Sequence, residues 1–221
     1  MPLYSDELSE TYAQNRANYK ATDKEVFSHI ERIGIKDKKV LDFGCGDGVY
    51  AEEFIKLGAR EIVGIDDAPK MIELAKSKHP AIQFIEADGN NLPFEERAFD
   101  LTFAFFVLHH FVDTLKPLKE IYRVLKKDGY LVATMGAYEI PEGLDLPLNT
   151  PAPIRLGISE NTTLVTNILK SYKKVEKDLK DAGFEIDTYK SIENANARMD
   201  ETHPYKDKVK LLTMLIVAKK T

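Results

Sequence analysis

Short apolar runs alternate along the chain with stretches whose apolar residues return every three or four positions. The runs "KKVLDFGC", "EIVGID", "AIQFIEAD", "FDLTFAFFVL" and "YLVATMG" predict five buried strands. Between them, "VYAEEFIKLG", "APKMIELAKSK" and "DTLKPLKEIYRVLKKDG" predict amphipathic helices closed by Gly58, by the end of the run, and by Gly129. Strand–helix alternation of this kind predicts βαβ units, a parallel sheet covered on both faces, and right-handed crossovers. Further on, "NTTLVTNILKSYKKVEKDLKDAG" is expected as a helix, "FEIDTYKSI" as a strand and "KLLTMLIVAKK" as a terminal strand.

Two segments break the rhythm. Residues 1–35 form a helical preface in which "DKEVFSHIERIG" is amphipathic and stops at Gly34. Residues 137–160, "AYEIPEGLDLPLNTPAPIRLGISE", are rich in proline and poor in pattern, as a functional loop would be. The expected organisation is a lid over 1–35 and one domain over 36–221, carrying a substrate cap inserted near 137–160.

Composition narrows the class. The 221 residues are 43% hydrophobic and 30% charged, with a net charge of −5. A nucleic-acid grip would show a basic excess or stripe, and none is visible. No apolar run reaches the roughly 18 residues of a membrane helix. The N-terminus is polar and acidic, and the lone cysteine, Cys45, forms no intrachain disulfide. A cytoplasmic protein acting on a small molecule, as monomer or homodimer, is the expectation. No Cys/His cluster suggests a metal.

Candidate chemistry begins at "VLDFGCGDG", where Gly44, Gly46 and Gly48 alternate between the first strand and the first sheet helix. Glycine permits a sharp turn and close approach of a ligand to the main chain. The spacing is not the G-x-G-x-x-G of a dinucleotide fingerprint, because Val49 holds the third position. No Gly-Lys-Ser/Thr follows, so a Walker A loop is excluded. A plain tight turn stays open as the alternative. Asp66 ends the second strand, about 20 residues further on, where a carboxylate accepts hydrogen bonds from both hydroxyls of a ribose. Asp67 follows and is equally suited to capping a helix. Asp88 and Gly89 end the third strand; they suit an adenine edge, or simply an Asp-Gly turn.

At this point the chain resembles the class I S-adenosylmethionine-dependent methyltransferases, in the branch that modifies small molecules. The likeness rests on "VLDFGCGDG", "IVGIDDAPKMIELAK", "IEADGNNLPFEERAFDLTFAFFVLHHF" and "LKEIYRVLKKDGYLVAT", in order, over about Lys38 to Thr134. It implies an α/β Rossmann-like three-layer sandwich, with a seven-stranded sheet of order 3-2-1-4-5-7-6 and an antiparallel last strand. It implies S-adenosyl-L-methionine as cofactor and S-adenosyl-L-homocysteine as product. Gly44 and Gly46 would lie against the methionine part, with Asp42 nearby, and Asp66 would bind the ribose. Asp67 and Met71 would flank the adenosine, Asp88 and Gly89 would hold adenine, and Ala104 or Phe105 would lie under the methionine end. Cys45 would be a small packing residue.

His109 and His110 in "VLHHF" are the candidate proton acceptors, or else packing residues. Tyr12, Arg16 and Tyr19 share one helix face, which would cover the cofactor, with Arg16 pairing to its carboxylate. Packing of both tyrosines on the core is the alternative. Tyr138, Leu144, Leu146 and Arg155 are expected to line the acceptor pocket. Two other functions stay open: a regulatory or scaffold protein that binds the cofactor without catalysis, and a nucleotide-sugar or NAD enzyme on a similar sheet.

Overall fold

The computed structural model describes residues 20–149, 151–158, 161–192, 197–199 and 201–221. Five helices lie in it: α1 (Lys20–Ile33), α2 (Ala51–Lys56), α3 (Pro69–Lys78), α4 (Leu115–Val124) and α5 (Tyr172–Asp181). The strands are β1 (Lys39–Phe43), β2 (Glu61–Asp66), β3 (Gln83–Glu86), β4 (Phe99–Phe105) and β5 (Leu125–Glu139), then β6 (Pro151–Ile158), β7 (Asn161–Ile168), β8 (Phe184–Ile192), β9 (Ala197–Met199) and β10 (Lys210–Lys220). Seven of them form one sheet in the order β3-β2-β1-β4-β5-β10-β8. β10 runs antiparallel to both neighbours, while the pairs from β3 to β5 are parallel. Counted along this sheet alone, that is the expected order 3-2-1-4-5-7-6.

Side chains alternate across the sheet because successive Cβ atoms point to opposite faces. Val40, Ile62, Leu101, Phe103 and Val132 pack against α1, α2 and α3 through Val26, Ile30, Phe54, Ile72 and Ala75. Leu41, Val63, Leu131 and Ala133 pack on the other face with Leu118 and Ile121 of α4 and Val175 and Leu179 of α5. Helix α1 is therefore a layer of the core: Val26 and Ile30 are fully buried, and the Phe27 ring sits 5.9 Å from Phe54 and 6.3 Å from Phe103. Tyr12, Arg16 and Tyr19, from the expected lid, lie outside the described residues.

Three elements differ from the sequence expectation. Helix α4 ends at Val124, before Gly129; Leu125 already pairs with Phe99, and Asp128 makes the left-handed turn at φ 62°. The expected loop over 137–160 holds the end of β5 and the whole of β6. The expected helix from Asn161 splits into β7 and α5, with the α5 start set by Ser171, whose side chain accepts the Lys173 N–H at 3.2 Å. Thr162, Thr163, Val165 and Thr166 are β-branched and favour the extended chain. β6 pairs with β7 and β9 in a separate three-stranded antiparallel sheet. Arg155 lies on β6, opposite Leu164 and Arg198. Among the described residues, no helix is long and apolar enough to cross a membrane.

Candidate functional site

A cavity of about 420 Å³ opens where the carboxyl ends of β1, β2, β3 and β4 meet. The location follows from the sheet: strand order reverses between β1 and β4, and the loops leaving these two strands splay apart. The volume lies within the roughly 300–1,000 Å³ typical of small-molecule sites.

The floor is the glycine loop. Gly44 and Cys45 donate backbone N–H bonds to the Ile65 carbonyl at 2.8 Å, which clamps the loop to the end of β2. Gly44 has φ 73°, and a Cβ on it would lie 2.5 Å from Cγ2 of Val107. Gly46 has φ 54°, and a Cβ there would meet no atom within 4 Å. One glycine is thus closed in by the protein, while the other faces open cavity. Cys45 is buried, and burial, reinforced by Asp42 and Asp66, pushes its thiol well above the usual range. An un-ionised thiol is a packing group and a poor nucleophile.

Asp66 is the central polar group. Its Oδ2 accepts the Gly46 N–H and its Oδ1 the Ala68 N–H, both at 3.0 Å. Burial nevertheless dominates and raises its pKa to about 6. A carboxylate has about four lone-pair directions, so acceptor capacity remains for ligand hydroxyls. Asp67 is exposed and does not cap α3; Ala68 holds that position, and Pro69 begins the helix. Desolvation, then the Asp88 charge, raises the Asp67 pKa. Asp88 Oδ1 accepts from the Asn90 N–H at 2.8 Å and from its amide at 2.9 Å, so the Asp-Gly turn does form. The turn still lies in the cavity wall, with Gly89 tight against Phe43 and Phe111. Arg123 and Glu120 of α4 anchor the following loop: Arg123 donates to the carbonyls of Leu92 and Phe94, and Glu120 accepts the Leu92 N–H.

Gly44, Gly46, Asp66, Asp67, Met71, Asp88, Gly89, Phe105 and His110 all line the cavity. Asp42 and Ala104 do not; they lie beneath it at 1% and 0% exposure. His109 takes the packing alternative. It is 2% exposed, its Nδ1 accepts the Gly136 N–H at 3.1 Å, and burial, with the nearby charges of His110 and Lys170, holds its pKa well below the histidine range. The 3-10 turn over Leu108–His110 explains the division, sending one ring inward and the next to the cavity. Tyr138 does not line the cavity. It is fully buried, with its ring stacked on His203 at 5.6 Å, in a satellite cluster with Leu169 and Val209 against which Leu144 and Leu146 pack.

The sequence reading missed Asp47, Tyr50, Phe106, Val107, Phe111 and Lys116, which also line the cavity. Most are apolar residues that periodicity assigns to packing. Phe106 carries a visible signature only in the fold: φ 52°, outside the range bulky side chains normally occupy, with its N–H held by the Thr134 carbonyl at 2.8 Å.

The lining is acidic: Asp66, Asp67, Asp88 and Asp113 belong to it, with Asp47 paired to Lys78, against Lys116 as the lysine among the described lining residues. A dinucleotide's pyrophosphate would meet repulsion here. A sulfonium nucleoside would suit this lining: its hydroxyls could meet buried carboxylate acceptors, and its positive charge could meet the acids and the ring faces of Tyr50 and Phe105. The residues present fit S-adenosylmethionine. Among the described residues, no trio of His, Cys, Asp or Glu is placed to hold a metal ion.

The comparisons with known proteins agree. Residues 41–133 match the family model described as "Methyltransferase domain". The ubiquinone/menaquinone biosynthesis C-methyltransferase UbiE of Campylobacter jejuni is 34% identical over 175 residues, covering 71% of this chain and 74% of that protein. The demethylmenaquinone methyltransferase of Chlorobaculum tepidum is 34% identical over 104 residues, covering 46% and 43%. The crystal structure of a SAM-dependent methyltransferase from Methanosarcina mazei superposes with a TM-score of 0.64 at 24% identity, covering 86% of this chain and 96% of that one. The chain belongs to the class I S-adenosylmethionine-dependent methyltransferases, and it moves the methyl group of that cofactor to a small-molecule acceptor.

Proposed function

We propose that the acceptor is an electron-rich aromatic ring of the quinol class, methylated at carbon. The observation that carries this reading is the kinship with the Campylobacter quinone C-methyltransferase, which extends over 74% of that protein and not just over the cofactor-binding half. The cavity supports it, because Phe105, Phe106 and Phe111 offer flat apolar surface beside the glycine loop. Phe105 and Phe106 meet edge to face at 4.8 Å and 88°, an arrangement that suits a planar guest.

In this reading Asp66 takes the ribose hydroxyls, Asp88 and Gly89 take the adenine edge, and Gly44, Gly46, Asp67, Met71 and Phe105 shape the rest of the cofactor's bed. Bound there, the cofactor supplies an electrophilic methyl group. The protein's tasks would be to align a ring carbon with that methyl, to keep water out, and to receive the proton of a ring hydroxyl; the methylated carbon would then release its own proton and the oxygen would regain one, restoring the aromatic quinol with a net loss of one proton. His110 is the group placed for the last task. Its neighbour His109 has Nδ1 occupied by the Gly136 N–H and so carries its proton on Nε2. The β6–β7 insertion is the proposed acceptor cap, supported by the course of β7 against the turn Leu108–His110. The setting proposed is cytoplasmic, in keeping with a reduced Cys45, with no part for nucleic acid or membrane.

The test supplies labelled S-adenosylmethionine with reduced short-chain naphthoquinols and benzoquinols and identifies the product by mass. A ring-methylated quinol is expected. Tight cofactor binding with no methyl transfer to any reduced quinol would overturn the quinol assignment and point to a small-molecule acceptor of another class.

A further inference from the structure

One wall of the cavity is a short stretch of chain from Val107 to Val112. Val107 closes over Gly44, and the Phe111 ring closes over Gly89, where a Cβ would lie 2.8 Å from its Cζ. The same wall therefore bears on both ends of the cofactor bed. Part of its anchoring comes from far along the chain. Lys170, just past β7, is 1% exposed, and its Nζ donates to the Phe111 carbonyl. Its own carbonyl accepts the Tyr138 N–H at 2.8 Å, and β7 runs along the turn that bears His109 and His110.

We propose that Lys170 is a positioning residue: by gripping the Phe111 carbonyl, it couples the inserted hairpin to the cofactor wall and sets how tightly that wall closes. An ammonium this deeply buried works against stability, and burial lowers its pKa to about 8. A methionine of similar length would carry no such penalty, so packing alone does not account for a lysine here. The charged and titratable groups around it are His109 on the turn, Asp113 on the following loop, and Lys174 and Asp178 on α5. The two carboxylates favour the charged lysine and Lys174 disfavours it; β7 carries no ionisable residue.

The proposal rests on the assignment of this cavity to the cofactor, so Asp66→Ala accompanies Lys170→Met and Lys170→Arg. Calorimetry with S-adenosylhomocysteine gives affinity, and thermal unfolding of the apo protein between pH 7 and 9.5 gives stability. Lys170→Met should bind about tenfold more weakly at an undiminished thermal midpoint, and Lys170→Arg should regain part of the affinity. The folded pKa lies below that of the unfolded chain, so wild-type stability should rise as the pH passes through about 8, and neither variant should share the rise. Wild-type affinity in a folded Lys170→Met overturns the proposal. So does an affinity loss that comes with a lowered midpoint and is not restored by arginine, because that marks a purely structural lysine. Should the methionine variant fail to fold, parallel pH courses for wild type and Lys170→Arg overturn it. Unchanged affinity in Asp66→Ala would instead show that the cofactor assignment is at fault.

Discussion

Two glycines separated by one residue make a controlled experiment. Gly44 and Gly46 both occupy the left-handed region, so an alanine at either pays about 1–2 kcal/mol for its backbone. Space separates them. At Gly44 the new methyl would stand 2.5 Å from Cγ2 and 2.7 Å from Cβ of Val107. Neither atom is the free end of a flexible chain, so the backbone of the wall must move, adding roughly 1–3 kcal/mol of overpacking. At Gly46 nothing lies within 4 Å, and the methyl enters the cavity. For a chain of this size 1 kcal/mol moves the melting midpoint by about 2–4 °C. Gly46→Ala should thus lose about 2–8 °C in the apo state, and Gly44→Ala roughly twice that or more. The ranking should reverse in one respect. Relative to its small stability loss, Gly46→Ala should suffer the larger loss of affinity, at least about tenfold, or 1.4 kcal/mol. Melting curves of the apo proteins and calorimetry with S-adenosylhomocysteine measure both quantities. A Gly46→Ala protein that melts near wild type and binds at wild-type strength would refute the claim that this open space is the cofactor's bed.

The pH dependence of Asp66 offers a second check. Its folded pKa of about 6 lies above the usual aspartate value, so the folded state holds the proton more tightly. Apo stability should accordingly fall by roughly 3 kcal/mol as pH rises from about 4 to 6, a fall absent in Asp66→Ala. Ribose hydroxyls need the ionised form, so cofactor affinity should weaken as pH drops below about 6; a flat profile between pH 5 and 7 would exclude the carboxylate from the contact. Asp66→Ala itself should bind at least about tenfold more weakly at pH 7.5. Arg123→Ala removes two bonds to carbonyls and leaves Glu120 without its guanidinium partner, so the midpoint should drop by the equivalent of about 2 kcal/mol, as read by thermal unfolding.

The core of the fold is legible because β1, β2 and β4 are short runs with apolar centres, bounded by glycine and acids, which leaves few alternative assignments. The region after Glu139 was harder. Pro151 and Pro153 read as loop markers, yet they sit in β6, ahead of the stretch Ile154–Leu156 that pairs with β9; there β6 has a partner on one side alone, so a missing N–H is tolerated. Leu164, Ile168 and Leu169 fall at near-helical spacing ahead of α5, which masked the β-branched residues between them. In the site, the residues that announce a ligand chemically, Asp66, Asp88 and the glycines, could be found from spacing. Val107 and Phe111 could not, because an apolar residue that touches a cofactor and one that touches the core look alike in one dimension. His109 and His110 show the same limit: only the turn geometry separates the buried ring from the one at the cavity.

The position of β10 bears on how the chain is made. It follows β8 in sequence yet lies between β5 and β8, and in the large sheet β8 pairs with β10 alone. While the polypeptide is being synthesised, β5 therefore presents an open hydrogen-bonding edge, and β8 has no place in the sheet, until residues 210–220 emerge. The five strands that carry the cofactor motifs precede them and can assemble earlier. A ribosome paused before residue 210 would hold a nascent chain with its cofactor bed formed and a long apolar edge uncovered, a state suited to chaperone capture and prone to self-association.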